Sequence, residues 1–158
     1  MTVLQGEAET ESGREGIRTW VVTSLAEMAE VYAIRHEVFV VEQHLTRNVR
    51  DDPDDRYSFH VLAALDGETV GTGRITFYGD EGQIVWVAVR KSYRGRGVGR
   101  AVMEHLLRLA REQGSRLVTL NAQTHALSFY ESLGFRPIGS RFMMGNIEHQ
   151  YMAREMEG

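Results

Sequence analysis

The run IVWVAV, Ile84 to Val89, is apolar at every position, with Ile84, Trp86 and Ala88 alternating with Val85, Val87 and Val89. Successive side chains of a strand point to opposite sides, so such a run demands cover on both faces. It predicts a central strand in a layered α/β domain. The strand does not turn back in a hairpin. It runs through RKSYRGRGVGR into a helix expected from about Gly97 to Gln113, with Val98, Val102, Leu106 and Leu109 along one side and Gly114 placed to stop it.

The surrounding segments supply further strands and helices. IRTWVVT has β-branched strand composition, and SLAE after it matches a capping box with Ser24 as N-cap and Glu27 three residues on. A helix is expected there, with Leu25, Met28, Ala29 and Tyr32 at helical spacing, ending in VFVVEQ, whose type the pattern leaves open. HLTRNVRDDPDDRY reads as a loop. FHVLAAL and TVGTGRITFY flank Asp66 and Gly67, a pair that readily supplies the positive φ angles of a hairpin turn. RLVTLN reads as a strand, HALSFYESLGF as a short helix closed by Gly134, and FRPIGS and IEHQYMARE as two last strands. Residues 1–16, rich in glutamate and glycine, read as a flexible acidic lead before one domain over 17–158.

A strand, a glycine loop and a helix N-terminus make an anion site for a physical reason. Backbone N–H groups without helical partners point out of the first turn, and the helix dipole adds positive potential. Gly95, Gly97 and Gly99 remove the Cβ atoms that would keep phosphate oxygens away, while Arg94, Arg96 and Arg100 offer charge-assisted contacts. The bland alternative is an exposed basic turn. Two familiar phosphate loops are excluded: RGRGVGRAV lacks the lysine and Ser or Thr of a Walker A loop, and its glycines are not spaced G-x-G-x-x-G.

Composition narrows the partners. A net charge of −4 argues against a broad nucleic-acid-coating face, yet five of the 18 Lys and Arg fall between Arg90 and Arg100, as suits a small polyanion. No apolar run is long enough to span a bilayer, and the start MTVLQGEAET lacks the pattern of a secretory signal, so the chain is read as cytoplasmic. Zero cysteines exclude disulfides, thiolate metal sites and a cysteine nucleophile.

VAVRKSYRGRGVGRAVMEHLL resembles motif A of the GNAT superfamily of acyl-CoA-dependent N-acyltransferases, R-x-x-G-x-G or A, here Arg94, Gly97 and Gly99. HALSFYESLGF resembles that family's later motif, and RHEVFVVEQ, NAQTHALSFY and IEHQYM are similar to its ElaA-like branch. The resemblance covers about Ile17 to Met156. It implies a single-domain α/β fold with a mixed, mostly antiparallel sheet of about six or seven strands and helices on both faces. It also implies acetyl-CoA as co-substrate, its pyrophosphate on Arg94, Gly95, Arg96, Gly97, Val98, Gly99 and Arg100. The pantetheine arm would lie along Val87, Ala88 and Val89, with the Val89 N–H as oxyanion donor and Gln123 contacting the cofactor where many relatives have asparagine.

Tyr130 matches the family tyrosine near the thioester sulfur, a general acid by resemblance and otherwise a core residue on the apolar stripe of its helix. Many relatives carry a glutamate on the central strand, and QIVWVAV has none, so the general base is sought among Glu42, His60 and His149. Each has a structural alternative: Glu42 as the partner of an arginine, the histidines as hydrogen-bonded core or rim residues. Asp51, Asp52, Asp54 and Asp55 lack the glycine and terminal glutamate of an EF-hand and read as a solvated loop, so no metal is expected. The resulting expectation is acetyl transfer to a primary amine of a small molecule by direct attack in a ternary complex. A homodimer is compatible with it, and neither nucleic acid nor membrane enters. Two other readings stand beside it, a catalytically inactive CoA-binding regulatory module and a longer-chain acyltransferase such as a signal-molecule synthase.

Overall fold

The computed structural model describes Thr10–Glu11 and residues 16–157. Its nine strands are β1 (Thr10–Glu11), β2 (Arg18–Val21), β3 (Ser58–Leu65), β4 (Glu68–Tyr78), β5 (Glu81–Val89), β6 (Leu117–Gln123), β7 (Arg136–Pro137), β8 (Phe142–Met144) and β9 (Ile147–Glu155). They form one sheet in the order β1-β2-β3-β4-β5-β6-β9-β7, with β8 also on β9. Every pairing is antiparallel except β5 with β6. The expected mixed, mostly antiparallel sheet is present, with two more strands than anticipated. The lead expected over 1–16 lies mostly outside the described residues; within it Thr10–Glu11 pairs with β2.

Helix α1 (Leu25–Arg35) begins as its sequence dictates: the Ser24 hydroxyl accepts from the Glu27 N–H at 3.1 Å, and Glu27 Oε1 accepts from the Thr23 N–H at 2.8 Å. VFVVEQ is neither strand nor α-helix. His36–Glu42 winds on as a π-helix, an uncommon element that widens the turn and is enriched at functional sites. Its Val38 is buried while Val41 is 60% exposed.

Helix α2 (Val98–Glu112) covers the opposite face of the sheet, with Val98, Val102, Leu106 and Leu109 all buried. Each fully buried Leu or Val there contributes about 1.5–3 kcal/mol. Its close seat depends on β4: a Cβ on Gly71 would stand 2.6 Å from Val98 Cγ1, and one on Gly73 2.8 Å from Val102 Cγ1. Helix α3 (Leu127–Ser132) follows a single 3-10 turn, Thr124–Ala126, and Gly134 at φ 92° ends the segment.

The Asp66-Gly67 hairpin forms as expected, with φ 56° and 78°. Strand β5 departs from its expected even alternation. Trp86 has φ 60°, and the β4 register jumps from Arg74↔Val85 to Thr72↔Ala88, so two residues of β5 oppose Gly73 alone. This bulge changes the sidedness of the strand. Ile84 packs into the core beneath α2, Ala88 into the core beneath α1 with Val31, Ile34, Val38 and Leu62, and Val87 and Val89 lean towards the α2 side.

The aspartate loop is solvated only in part: Asp51 is exposed, Asp52 and Asp55 are held by arginines, and Pro53–Tyr57 winds as a short 3-10 helix. Arg35 and Arg74, both buried, hold it from below: Arg35 pairs with Asp55 at 2.8 Å, and Arg74 with Asp52 at 2.8 Å and Asp55 at 3.0 Å. Two buried cations thus meet two carboxylates, which spares either sign the cost of lying unpaired in the interior. Trp86 Nε1 donates to Asp52 Oδ2 at 3.0 Å, tying the loop to the bulge.

Candidate active site

β5 and β6 pair only from Glu81↔Leu117 to Ile84↔Leu120, yet β5 continues to Val89 and β6 to Gln123. Beyond Ile84 a wedge opens between two strand edges. The Arg90 N–H donates to Val70 O of β4 at 2.8 Å. Backbone direction alternates along a strand, so Ala88 also turns its N–H to β4, and Val87 and Val89 turn theirs into the wedge. Val87 and Val89 therefore suit an extended ligand. Ala88 does not: its backbone serves the β4 ladder and its side chain the α1 core.

The glycine loop closes one end of the wedge. Gly97, at φ 90°, is the N-cap of α2, and the Ala101 N–H takes the Gly97 carbonyl at 3.0 Å. The preceding N–H groups of Val98, Gly99 and Arg100 lie ahead of the helical ladder, free for an anion. Gly95, at φ 77°, has open space where a Cβ would be. Arg96 and Arg100 flank the loop, Arg96 within 3.3 Å of Asp66 and Arg100 donating to Ser132 Oγ at 2.7 Å. Both sites are exposed enough for a phosphate to compete.

Arg94 is engaged differently. Its Nε donates to Val89 O at 2.9 Å, and its two terminal nitrogens grip Glu42 at 2.5 and 2.7 Å. That pair of hydrogen bonds lowers the Glu42 pKa and raises that of Arg94. A carboxylate so held is a poor proton acceptor, so Glu42 takes its structural alternative as an arginine's partner.

His60 is likewise committed. Its Nε2 donates to Asp55 O at 2.9 Å, and its Nδ1 faces Arg35 at 3.4 Å. Burial pushes its pKa down, and both nitrogens are used, so it has no lone pair for a substrate.

His149 differs from both. A carbonyl only accepts, so its Nδ1, 2.8 Å from Ile147 O, is the donor there, and in the neutral ring Nε2 is the acceptor. It stands opposite Gln123 in the β6–β9 register and stacks on Phe142 at 5.9 Å. Leu120, Ala122 and Met152 pack into the α2-side core, so alternation puts Gln123 and His149 together on the π-helix side. The Gln123 amide exchanges hydrogen bonds with Gln43 at 2.9 and 3.1 Å and takes a third contact from His125 at 2.8 Å.

Tyr130 lies on the other side, among Phe129, Phe135 and the α2 core. Burial alone pushes its pKa up to about 12, so the hydroxyl keeps its proton at neutral pH. The site thus has two faces, a donor face with the glycine loop and Tyr130, and a second face with Gln43, Gln123 and His149. Sequence reasoning missed Gln43, although it sits in the quoted RHEVFVVEQ. An open cavity of about 690 Å³ lies further along the π-helix side, lined in part by Tyr32, Arg50, Asp52 and His60. Among the described residues no group of three or more His, Asp or Glu is placed to hold a metal, and no helix is long and apolar enough to cross a membrane.

Residues 9–156 match the family model of the acetyltransferase (GNAT) domain. The uncharacterized N-acetyltransferase YjcF of Bacillus subtilis is 33% identical over 131 residues, covering 82% of this chain and 93% of the relative. Protein ElaA of Escherichia coli is 30% identical over 138 residues, covering 84% and 90%. The crystal structure of Escherichia coli ElaA aligns with a TM-score of 0.79 over 88% of this chain and 99% of that one. A Bacillus subtilis acetyltransferase solved in complex with CoA shares the fold at 15% identity, with a TM-score of 0.68 over 89% of this chain and 99% of that one.

Proposed function

Because the chain belongs to the GNAT acetyltransferase family, we propose that it transfers the acetyl group of acetyl-CoA to a primary amine of a small molecule by direct attack in a ternary complex. The observation that carries this reading is the wedge beyond Ile84, with the α2 N-terminus at one end and the inward N–H groups of Val87 and Val89 along one bank.

Phosphate oxygens sit on the N–H groups between Gly95 and Arg100, with Arg96 and Arg100 adding charge. The pantetheine amides continue the β5 ladder through Val87, and the thioester carbonyl accepts from the Val89 N–H. A donor fixed at the place where negative charge develops stabilises the tetrahedral transition state more than the ground state. The amine arrives from the π-helix side. His149 Nε2 removes its proton, directly or through one water, as the nitrogen lone pair attacks the carbonyl carbon. When the C–S bond breaks, sulfur leaves towards Tyr130, whose hydroxyl donates to the thiolate. Carbonyl and sulfur stay on the donor face, and no covalent enzyme intermediate is needed in a chain without cysteine.

Calorimetric titration with acetyl-CoA tests the reading. Micromolar affinity, on the order of −8 kcal/mol, is expected for the wild type. Arg96→Glu combined with Arg100→Glu should weaken it at least about tenfold while leaving the backbone N–H groups in place. Absence of binding by folded wild-type protein would remove the proposal.

A further inference from the structure

The two banks of the wedge share no backbone hydrogen bonds beyond Ile84 and Leu120, yet consecutive residues of one distant segment reach both of them. Glu42, the last residue of the π-helix, holds Arg94, which in turn holds Val89 O at the end of β5. Gln43, the next residue, exchanges two amide hydrogen bonds with Gln123 at the end of β6. At the other end of the same helix Glu37 pairs with Arg90 at 2.5 Å.

We propose that Glu42 and Gln43 form a strap across the wedge that sets the distance between the β5 and β6 banks, and that both are positioning residues for acyl transfer. The proposal rests on the reading of the wedge as the acyl-CoA site. Arg94 is assigned with them: each of its three nitrogens donates one hydrogen bond, to Val89 O or to Glu42, so its side chain ties the β5 terminus to the π-helix.

The physical argument concerns where freedom would otherwise lie. Two strand ends without a shared ladder can splay, and a splay of even about 1 Å between the oxyanion donor and the incoming amine costs on the order of a hundredfold in rate. The end of the π-helix falls between the two strap residues: Glu42 is its last residue and Gln43 its C-cap, at φ −100° and ψ −2°.

The strap is tested on the free protein by hydrogen exchange of Gln43→Ala and Glu42→Gln, and then by kinetics. Exchange at residues 85–89 and 121–123 should rise about tenfold or more, with α2 and the β3–β4 hairpin unchanged. The rate of CoA thiol release from acetyl-CoA, to water or to butylamine, should fall about tenfold or more at saturating acetyl-CoA, while the calorimetric Kd for acetyl-CoA changes less than about threefold. Gln43→Lys with Gln123→Glu, which rebuilds the bridge as an ion pair, should recover the exchange protection of both banks. Unchanged exchange at both banks overturns the strap, as does a rate loss matched by an equal loss of acetyl-CoA affinity. Wild-type protein that binds no acetyl-CoA overturns the proposed function instead, and the exchange comparison still decides the strap.

Discussion

Replacing Asp52 with Asn removes one charge from the network beneath Trp86 while keeping the shape of the side chain. Burial pushes the Asp52 pKa up, but hydrogen bonds from Trp86, the Asp54 N–H and Arg74, with the Arg74 charge, outweigh it and hold the pKa at about 2 against an ordinary 3.8. The side chain is only 10% exposed, so solvent screens these contacts little. At about 1.4 kcal/mol per pKa unit, the shift corresponds to about 2 kcal/mol of folding stability. The folded pKa is depressed, so this contribution is complete above the unfolded value and lost as pH falls through the folded one. Urea denaturation of wild type and Asp52→Asn should differ by about 2 kcal/mol at neutral pH, by about half that near pH 3, and by little near pH 2. A gap that stays constant across that range would show that the carboxylate's charge is not what anchors the loop.

Gly71→Ala forces a Cβ to within 2.6 Å of Val98 Cγ1, so Val98, in the first turn of α2, must give way. Destabilisation of about 1–3 kcal/mol is expected by thermal melting, with acetyl-CoA affinity weakened about tenfold because the N–H groups of that turn move. An unchanged Kd would detach α2 placement from binding. Tyr130→Phe and His149→Gln should each lower the rate of amine acetylation about a hundredfold at saturating substrate and leave the acetyl-CoA Kd within about threefold. If either variant retains full rate, that residue's role in proton transfer is wrong.

The parts legible in the sequence were those whose signals are local. Asp66-Gly67 specifies its own turn, and the apolar spacing from Val98 to Leu109 specifies a helix whatever surrounds it. The glycine loop was readable for the same reason, because strand, glycines and helix follow one another along the chain. What escaped depends on distant partners. Asp52 and Asp55 looked like solvated loop residues because Arg35 and Arg74 are invisible to a local window. The commitment of Glu42 and His60 was hidden in the same way, and so was the pairing of Gln43 with Gln123, 80 positions apart. Strand β8 escaped because Phe142, Met143 and Met144 are all exposed and give no burial alternation. No sequence rule marks a tryptophan at φ 60° inside an apolar strand.

That bulge makes β5 a shared wall whose two ends answer to different rooms. Ile84 is fixed by the packing under α2, Ala88 by the packing under α1, and the change of parity between them lies at Trp86. If β5 slipped by one residue against β4, Ile84 would leave its core and Ala88 would leave the other in the same movement. The register that points the Val87 and Val89 N–H groups into the wedge is thus checked twice, by two layers that hardly touch. An error in placing the Val89 N–H would register as a defect in both cores at once.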